Sequence, residues 1–388
     1  MTFRPRSVRI RFLQSGEVAL KPVVSLARLA ALPLLSAVLA AAPAPADEPG
    51  FVLQGEGGLI TSLVLDPSSP STLYATTARG LYKSSDSGVT WKPRGRGLEN
   101  HSVLSLAVDP TSSAQLFATT NTGGLYRSDD GGLTWAAAND GLSARYVGSI
   151  TVDPHHPATL YAGAEAGRLF KSTNAARSWT EMVSPLSRVT ITSITVDPVR
   201  PDSLYVGTNS EGIFKTSDGG ITWTRPAGRL KRGTVWNVTV DPSSPSTLYA
   251  GTHDGLFKSV DGGLHWSISH RGMKSINVLG FAMHPTDRST LYAATAFGIY
   301  KSTNAASSWT LMNPNLYVTA IAIDPLAPSV LYAGTHLGVL KTVNAGSEWA
   351  PVRLAGGGGP TASVPALVAQ PEIPRPLRPL PVKALGKE

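Results

Sequence analysis

The sequence contains no cysteine. Disulfide bonds, thiolate metal sites and cysteine nucleophiles are therefore excluded, and stability has to come from packing. Charge is also sparse, since Asp, Glu, Lys and Arg make up 15% of the chain. The formal net charge is +8, but residues 1–46 hold six basic residues and one acid, which leaves 28 basic and 25 acidic residues elsewhere. This near balance predicts no nucleic-acid partner.

Long hydrophobic runs are missing except for one near the N-terminus, residues 29–42. A basic stretch precedes this run, and the small residues Ala44, Pro45 and Ala46 follow it. This order is typical of a secretory signal peptide, and the apolar part is short for a membrane span. The sequence predicts a signal peptide over residues 1–46, export to the periplasm or the extracellular space, and no stable membrane span after processing. A lone membrane anchor is the alternative.

What the sequence does have is a repeat of 40 to 44 residues. Seven tryptophans mark it at intervals of 44, 44, 44, 43, 43 and 40 residues. An Asp-Pro dipeptide, replaced once by His284-Pro285, and a Leu-Tyr or Leu-Phe pair recur at nearly the same step. A fixed period of this size indicates a repeat architecture with seven units.

Each period contains four short apolar runs separated by Gly, Pro, Ser, Asp and Asn, with no room for a helix. In the second period these runs are 103–108, 115–119, 124–128 and 134–137, called strands A to D. Four-stranded units repeated around an axis form a propeller, which leaves only short, protected sheet edges. The sequence therefore predicts an all-β fold, a seven-bladed β-propeller of four-stranded blades, over residues 47–355.

Two segments at the ends of this region stand apart from the pattern. Residues 51–54 resemble an outer strand and are expected to compete with residues 349–353 for a place in the last blade. Residues 356–388 are rich in Gly and Pro and carry no repeat marker, which predicts a disordered or polyproline tail. The tail is either a flexible terminus or a docking peptide for a proline-binding groove.

Each of the seven tryptophans ends a Ser/Thr-x-Asp-x-Gly-x-Thr-Trp motif or a close variant, which is expected to form the hairpin between strands C and D. The Asp should accept backbone hydrogen bonds, the Gly should supply a positive φ, and the Trp should pin the hairpin to its blade. Three copies carry Asn, which keeps the acceptor and loses the charge, so a structural role is predicted. The motif residues are Asp86, Trp91, Asp130, Trp135, Asn174, Trp179, Asp218, Trp223, Asp261, Trp266, Asn304, Trp309, Asn344 and Trp349.

On these motifs the chain resembles the Asp-box, or bacterial neuraminidase repeat (BNR), propellers over about residues 51–354. That family includes sialidases, xyloglucanase-type glycosidases, sortilin-type receptor domains and photosystem II assembly factors. The resemblance implies the propeller and places the boxes on the blade periphery, away from the binding face. It does not imply one activity.

The D–A and B–C connections are expected to share one face, on which the repeats differ from one another. These connections contain ten Arg or Lys and five Asp or Glu residues, which favours an acidic protein or polysaccharide as partner. Trp236, which lies outside the boxes, is expected either to contact a sugar or a partner or to fill the space between two blades. The predicted binding residues are Arg145, Arg168, Arg229, Lys231, Arg232, Trp236, His253, Arg271 and Lys274.

Catalytic signals are sparse. A glycosidase needs two carboxylates flanking the scissile bond, and Glu165, Glu211 and Asp254 occupy matching B–C positions on three consecutive blades. A sialidase would need an arginine before the first box and a Tyr-Glu pair, and neither is evident. No metal or cofactor motif is found. The sequence thus predicts an exported, non-catalytic binding or assembly scaffold, with a glycoside hydrolase or lyase acting on an extracellular polysaccharide as the alternative.

Overall fold

The computed structural model describes residues 59–77, 80–99 and 101–352. Within them the chain forms seven antiparallel β-sheets, each built from strands that are consecutive in sequence. The first strand of every sheet contacts the first strands of both neighbouring sheets, and the last sheet meets the first in the same way. The fold is therefore a closed seven-bladed β-propeller, as the repeat predicts, with strand A of each blade at the centre.

The strands are numbered in chain order. Blade 1 contains β1 (Ile60–Asp66), β2 (Ser69–Thr77), β3 (Gly80–Ser84) and β4 (Lys92–Arg94), and blade 2 contains β5 (Val103–Asp109), β6 (Ser112–Thr120), β7 (Leu125–Ser128) and β8 (Ala136–Ala137). Blade 3 contains β9 (Val147–Val152), β10 (Leu160–Ala164), β11 (Leu169–Ser172) and β12 (Thr180–Met182), and blade 4 contains β13 (Ile191–Val196), β14 (Leu204–Thr208) and β15 (Ile213–Thr216). Blade 5 contains β16 (Val235–Val240), β17 (Leu248–Thr252), β18 (Gly255–Ser259) and β19 (Ser267–Ile268). Blade 6 contains β20 (Val278–Met283), β21 (Leu291–Thr295), β22 (Gly298–Ser302) and β23 (Thr310–Pro314), and blade 7 contains β24 (Val318–Ile323), β25 (Leu331–Thr335), β26 (Gly338–Thr342) and β27 (Ala350–Val352).

Helix is confined to two single 3₁₀ turns in the described part, Glu165–Gly167 and Arg229–Lys231. No helix among the described residues is long and apolar enough to cross a membrane. Residues 1–46, 51–54 and 356–388 lie outside the described residues, so the signal peptide, the closing strand and the disordered tail stay predictions.

The hydrophobic core lies between the blades. Strands β14 and β17, like strand B of the other blades over most of its length, are fully buried. Each buried cluster combines residues of two neighbouring blades, as Leu73 and Trp91 of blade 1 pack with Tyr332 and Val339 of blade 7. Because side chains alternate between the two faces of a sheet, every blade contributes one face to each of its two neighbours.

Blade 4 departs from the prediction of four strands in every blade. Its outer position is taken by a single bridge, in which Thr224 and Lys215 exchange N–H···O hydrogen bonds of 2.7 and 2.9 Å. The next hydrogen-bonding position is Pro226, which has no N–H to continue the ladder. The chain turns away there and leaves Trp223 only partly buried.

The first Asp-box shows how the motif folds. The Asp86 carboxylate accepts the Thr90 N–H at 2.8 Å and the hydroxyls of Thr90 and Ser84, and the Ser84 hydroxyl oxygen accepts the Gly88 N–H at 2.9 Å. Trp91 is fully buried and donates its indole N–H to the Gly88 carbonyl. Desolvation alone would raise the pKa of Asp86, but hydrogen bonds from Thr90 and Ser84 outweigh it and lower the pKa to about 2.

All three boxes that carry Asn keep the acceptor, and two of them reverse one donor. Asn174 Oδ1 accepts the Ser178 N–H at 2.9 Å, and Asn174 Nδ2 donates to the Ser178 hydroxyl at 2.8 Å. Asn304 repeats both contacts in blade 6. The glycine of the motif is also replaced here, since Ala176 adopts a φ of +61°, a conformation that costs an L-residue about 1–2 kcal/mol.

A contact between blades was not predicted from the sequence. The strand C lysine and the strand B tyrosine of one blade both donate to the same backbone carbonyl in the next blade's box. Lys341 and Tyr332 of blade 7 reach the Ser87 carbonyl of blade 1 at 2.6 and 2.8 Å, which ties the end of the ring to its beginning. The same pair of donors is formed by Lys83 and Tyr74, Lys215 and Tyr205, and Lys301 and Tyr292.

Candidate functional site

The strand order places the connections on two faces. The A–B turns and the boxes lie on one face, here called the box face, and the B–C turns and D–A loops lie on the other, the variable face. The D–A loops of the variable face, in the part of the chain that the structure describes, are residues 95–99 and 101–102, 138–146, 183–190, 225–234, 269–277 and 315–317. The blade geometry therefore presents the predicted binding residues on one side of the ring.

Loop 225–234, between blades 4 and 5, is fixed by Arg225. The guanidinium lies over the Phe214 ring, 4.7 Å from its centre, and donates to the carbonyls of Glu211 at 2.9 Å and Lys231 at 2.5 Å. Gly233 is joined to the B–C turn of blade 4 by two backbone hydrogen bonds of 2.8 and 3.1 Å. The loop is thus tied down at both ends. Sequence reasoning missed Arg225 because it follows a box directly and carries no periodic signal.

The middle of this loop presents cations to solvent. Leu230 is 3% exposed and anchors the 3₁₀ turn, so its neighbours Arg229 and Lys231 point outward, followed by the exposed Arg232. Among the described residues, none of these three cationic side chains has an ion-pair or hydrogen-bond partner. A charge without an internal partner is available to a ligand.

A pocket of about 330 Å³ lies beside this loop. Its lining includes two arginines, one aspartate and three apolar residues: Arg229, Arg232, Asp254, Leu230, Phe257 and Ile268. Asp254 comes from the B–C turn of blade 5, and its Oδ2 would stand 3.4 Å from a Cβ at Gly233, where φ is +99°. In the part of the chain described, the Asp254 carboxylate forms no ion pair and accepts no hydrogen bond. The pocket therefore holds charges of both signs that are not paired with each other.

The other predicted cations divide into two groups. Arg271 and Lys274 in loop 269–277, and Arg145 in loop 138–146, are exposed and have no side-chain partner within the described ranges. Arg168 is different, because its guanidinium forms a bidentate ion pair with Glu181 at 2.9 and 2.6 Å and also donates to the Ser143 carbonyl at 3.0 Å. Such a guanidinium has little left to offer a partner.

His253 and Trp236 lie at the edge of the pocket region, and both are half-buried. The backbone N–H of His253 donates to the carbonyl of Thr234 at 3.1 Å, which joins the B–C turn of blade 5 to loop 225–234. Trp236 follows that loop at the start of β16, and its indole N–H donates to Asn277 Oδ1 of blade 6 at 2.8 Å. The indole thus forms an inter-blade contact, and its exposed part remains on the variable face.

The position of Trp236 explains this contact. Strand A has a bulge at its second residue in all seven described blades. At this position Thr61, Thr192 and Thr319 donate their hydroxyls to a backbone carbonyl of the next blade. Trp236 occupies the same position in blade 5 and reaches a side-chain acceptor with a larger group. The Trp236 side chain therefore replaces the hydrogen bond that a threonine makes in other blades, and it adds aromatic surface on the variable face.

The three candidate carboxylates come from the B–C turns of three consecutive blades. Glu165 is exposed in a 3₁₀ turn of blade 3, the Glu211 carboxylate lies 3.8 Å from Arg225, and Asp254 lines the pocket. Glu211 and Asp254 both approach Gly233: the backbone of Glu211 forms a β-bridge with Gly233, and Asp254 Oδ2 would stand 3.4 Å from a Cβ there.

Tyr146 has a glutamate nearby that the sequence did not reveal. The Glu165 N–H donates to the Tyr146 carbonyl at 3.3 Å, and the phenol oxygen is buried without a hydrogen-bond partner among the described residues. Burial, and to a lesser degree the negative charge of Glu165, raise the pKa of Tyr146 to about 12. Among the residues described, no group of three His, Asp or Glu could hold a metal ion.

Comparisons with known proteins agree with the fold. The GH74 xyloglucanase from Xanthomonas campestris matches with a TM-score of 0.65 and 19% identity over 78% of this chain and 54% of that chain. YCF48 from Cyanidioschyzon merolae matches with a TM-score of 0.59 and 16% identity over 74% of this chain and 95% of that chain. A structure of YCF48 bound to D1 peptide matches with a TM-score of 0.57 and 14% identity over 74% and 94%.

No family model and no curated protein matches the chain. The chain spans about half the length of the GH74 enzyme, with 54% of it covered. The structural neighbours thus include glycosidases and YCF48, an enzyme class and a protein solved with a bound peptide, and they share the propeller with this chain. At these identities the likeness shows the fold alone.

Proposed function

We propose that this protein is an exported, non-catalytic binding or assembly scaffold that takes an acidic partner on loops 225–234 and 269–277 of its variable face. The observation that carries the proposal is a set of five exposed cations on two neighbouring loops without internal partners in the described structure: Arg229, Lys231, Arg232, Arg271 and Lys274. Cations of this kind attract an acidic surface and accelerate its association.

Two further observations support a binding role. Arg225 and the backbone of Gly233 hold loop 225–234 in place, so little ordering is required when a partner binds. YCF48, a propeller of this fold, has been solved with a bound peptide. The predicted signal peptide, residues 1–46, supports a location outside the cytoplasm.

The test is a binding assay on residues 47–388 with two immobilised polyanions, poly-glutamate and polygalacturonate. Reversing Lys231 and Arg232 to Glu should weaken binding about tenfold or more, because attraction to the polyanion is lost. The salt dependence of binding should also decrease, because salt screens a surface charge beyond about 8–10 Å at physiological ionic strength. The melting temperature should not change, since both side chains are exposed.

The matched control reverses Lys92 and Arg177, two exposed cations away from the variable face, to Glu. The control is expected to bind like the parent protein. A box lysine would be a poor control, because Lys258 donates to the Ala305 carbonyl of the next blade at 3.0 Å. Binding that ignores both salt and the Lys231/Arg232 reversal would contradict the proposal.

A glycoside hydrolase or lyase acting on an extracellular polysaccharide is the second candidate, and the match to the GH74 xyloglucanase favours it. The same polygalacturonate and a neutral xyloglucan can be incubated with the protein and analysed for new reducing ends. Release of products that is abolished by Asp254→Asn or Glu211→Gln would establish this alternative in place of the non-catalytic scaffold.

A further inference from the structure

The pocket beside loop 225–234 has properties that a generally basic surface does not require. Arg229 and Arg232 provide positive charge, and Asp254 provides a negative charge in the same pocket, yet no ion pair joins them. The remaining surface comes in part from Leu230, Phe257 and Ile268, of which Ile268 is 48% exposed. A ligand that satisfies the pocket must therefore offer a carboxylate or similar anion, hydrogen-bond donors, and a compact apolar face.

The hydrogen-bonding capacity of the pocket points to donors on the ligand. The two threonines at its edge already use their hydroxyl protons, since Thr234 donates to the Asn209 carbonyl at 2.6 Å and Thr252 donates to the Gly255 carbonyl at 2.7 Å. The Asp254 carboxylate accepts nothing from the described residues. The Asp254 side chain is exposed, so its oxygens are free to accept hydrogen bonds from a bound ligand.

We infer that this pocket binds one hexuronate residue of an acidic polysaccharide. The sugar carboxylate pairs with Arg229 and Arg232, a sugar hydroxyl donates to Asp254, and the apolar face of the ring packs on the exposed Ile268. Guanidinium groups suit carboxylates because they donate through a planar fork. The volume of about 330 Å³ is at the lower end of the range of about 300–1,000 Å³ for small-ligand sites, which suits a single sugar ring.

The inference rests on the proposed acidic partner and makes it specific. An acidic peptide such as poly-glutamate offers carboxylates and would be repelled by Asp254 at this position. A neutral sugar offers hydroxyls and leaves both arginines without an anion. A uronate carries both groups on one rigid ring, so that few degrees of freedom are lost when it binds.

The experiment measures the affinity of oligogalacturonate, its methyl ester and poly-glutamate for the protein by calorimetry. The methyl ester has the same size and hydroxyls without the charge, and it should bind at least about tenfold more weakly, as expected when a charge-assisted hydrogen bond is lost. Arg232→Gln should weaken oligogalacturonate by a similar factor. Arg177→Gln removes an exposed cation away from the variable face and should change the affinity less than about threefold.

Asp254→Asn separates the inference from the proposed function. It should weaken oligogalacturonate about tenfold, because the charged acceptor is lost, and it should strengthen poly-glutamate, because a repelling charge is removed. If Asp254→Asn strengthens both ligands, the pocket inference is wrong and the general basic surface stands. If neither polyanion binds the parent protein, the proposed function itself fails. Equal affinity for oligogalacturonate and its methyl ester would also overturn the inference.

Discussion

The two faces of the propeller use lysine and arginine in opposite ways, and blade 4 shows both uses within one unit. Lys215, near the box face, donates to the Gly262 carbonyl of blade 5 at 2.8 Å and lies over the Tyr205 ring. Lys231, on the variable face, is exposed and has no side-chain partner among the described residues. The first lysine holds two blades together, and the second is available to a partner. The contacts of a cationic side chain, and not its charge alone, therefore indicate its role.

The same comparison revises the count of cations on the variable face. Arg168 was predicted to bind a partner but is held by Glu181, and Arg225 was not predicted but positions the loop that carries three exposed cations. Both arginines lie over a phenylalanine of strand C, Phe170 and Phe214. The variable face thus contains its own structural arginines, and its available charge is concentrated in loops 225–234 and 269–277.

The largest expected effect concerns the box tryptophans, which test whether the box face is purely structural. Trp91 is fully buried, so Trp91→Ala should destabilise the protein by about 3–5 kcal/mol. Trp223→Ala, in the blade without an outer strand, should cost less, because this side chain is partly exposed. Urea denaturation of both variants measures the difference. Equal losses would mean that the missing strand does not affect how the box is held.

The fold was predictable from the sequence because a propeller repeats one set of local signals seven times. The box, the Asp-Pro turn and the strand B pair each have a local cause, and even His284 fits, since its Nδ1 accepts the Asp287 N–H at 2.9 Å where other blades use an aspartate. The single exception, blade 4, depends on whether Pro226 falls on a hydrogen-bonding position. The spacing of the markers along the sequence does not show which residues of an outer strand form hydrogen bonds with strand C.

The candidate site was only partly predictable, for a different physical reason. Exposed loop residues such as Lys231 and Arg232 are identified by lying where the repeats differ. The partners of Arg168 and Trp236 come from other strands or blades, Glu181 and Asn277, and contacts of this kind follow no period. The pocket arises because two separate connections, at Arg229 and Asp254, meet beside blade 5.

A medium effect is expected at the junction of blades 7 and 1. Lys341→Met removes the donor to the Ser87 carbonyl and should cost about 1–2 kcal/mol, in the range for a hydrogen bond from a charged group. Lys301→Met removes the equivalent donor at an internal junction, where Lys301 reaches the Ala345 carbonyl at 3.2 Å. Similar losses in urea denaturation would show that the ring closes with the same contact as every other junction. A much larger loss for Lys341→Met would mark the closing junction as a special site.

The smallest effect is expected when the box carboxylate is exchanged, and it appears mainly as a change in pH dependence. The pKa of Asp86 is about 2 in the folded protein and has a usual value of 3.8. A carboxyl with a lowered pKa contributes stability above its unfolded value and loses that contribution as the pH falls through its folded value. At pH 7, Asp86→Asn should change the unfolding free energy by no more than about 0.5 kcal/mol, since Asn174 shows that an amide makes the same contacts with one donor reversed. Between pH 4 and pH 2, values set by the two pKa figures, the parent should lose stability relative to the variant.

Asn304→Asp is the reciprocal control, because Ser308 can then donate to the new carboxylate as Thr90 does to Asp86, and it should add pH dependence over the same range. If neither exchange alters the pH profile of urea denaturation, the hydrogen bonds of the box do not hold the carboxylate in its charged form.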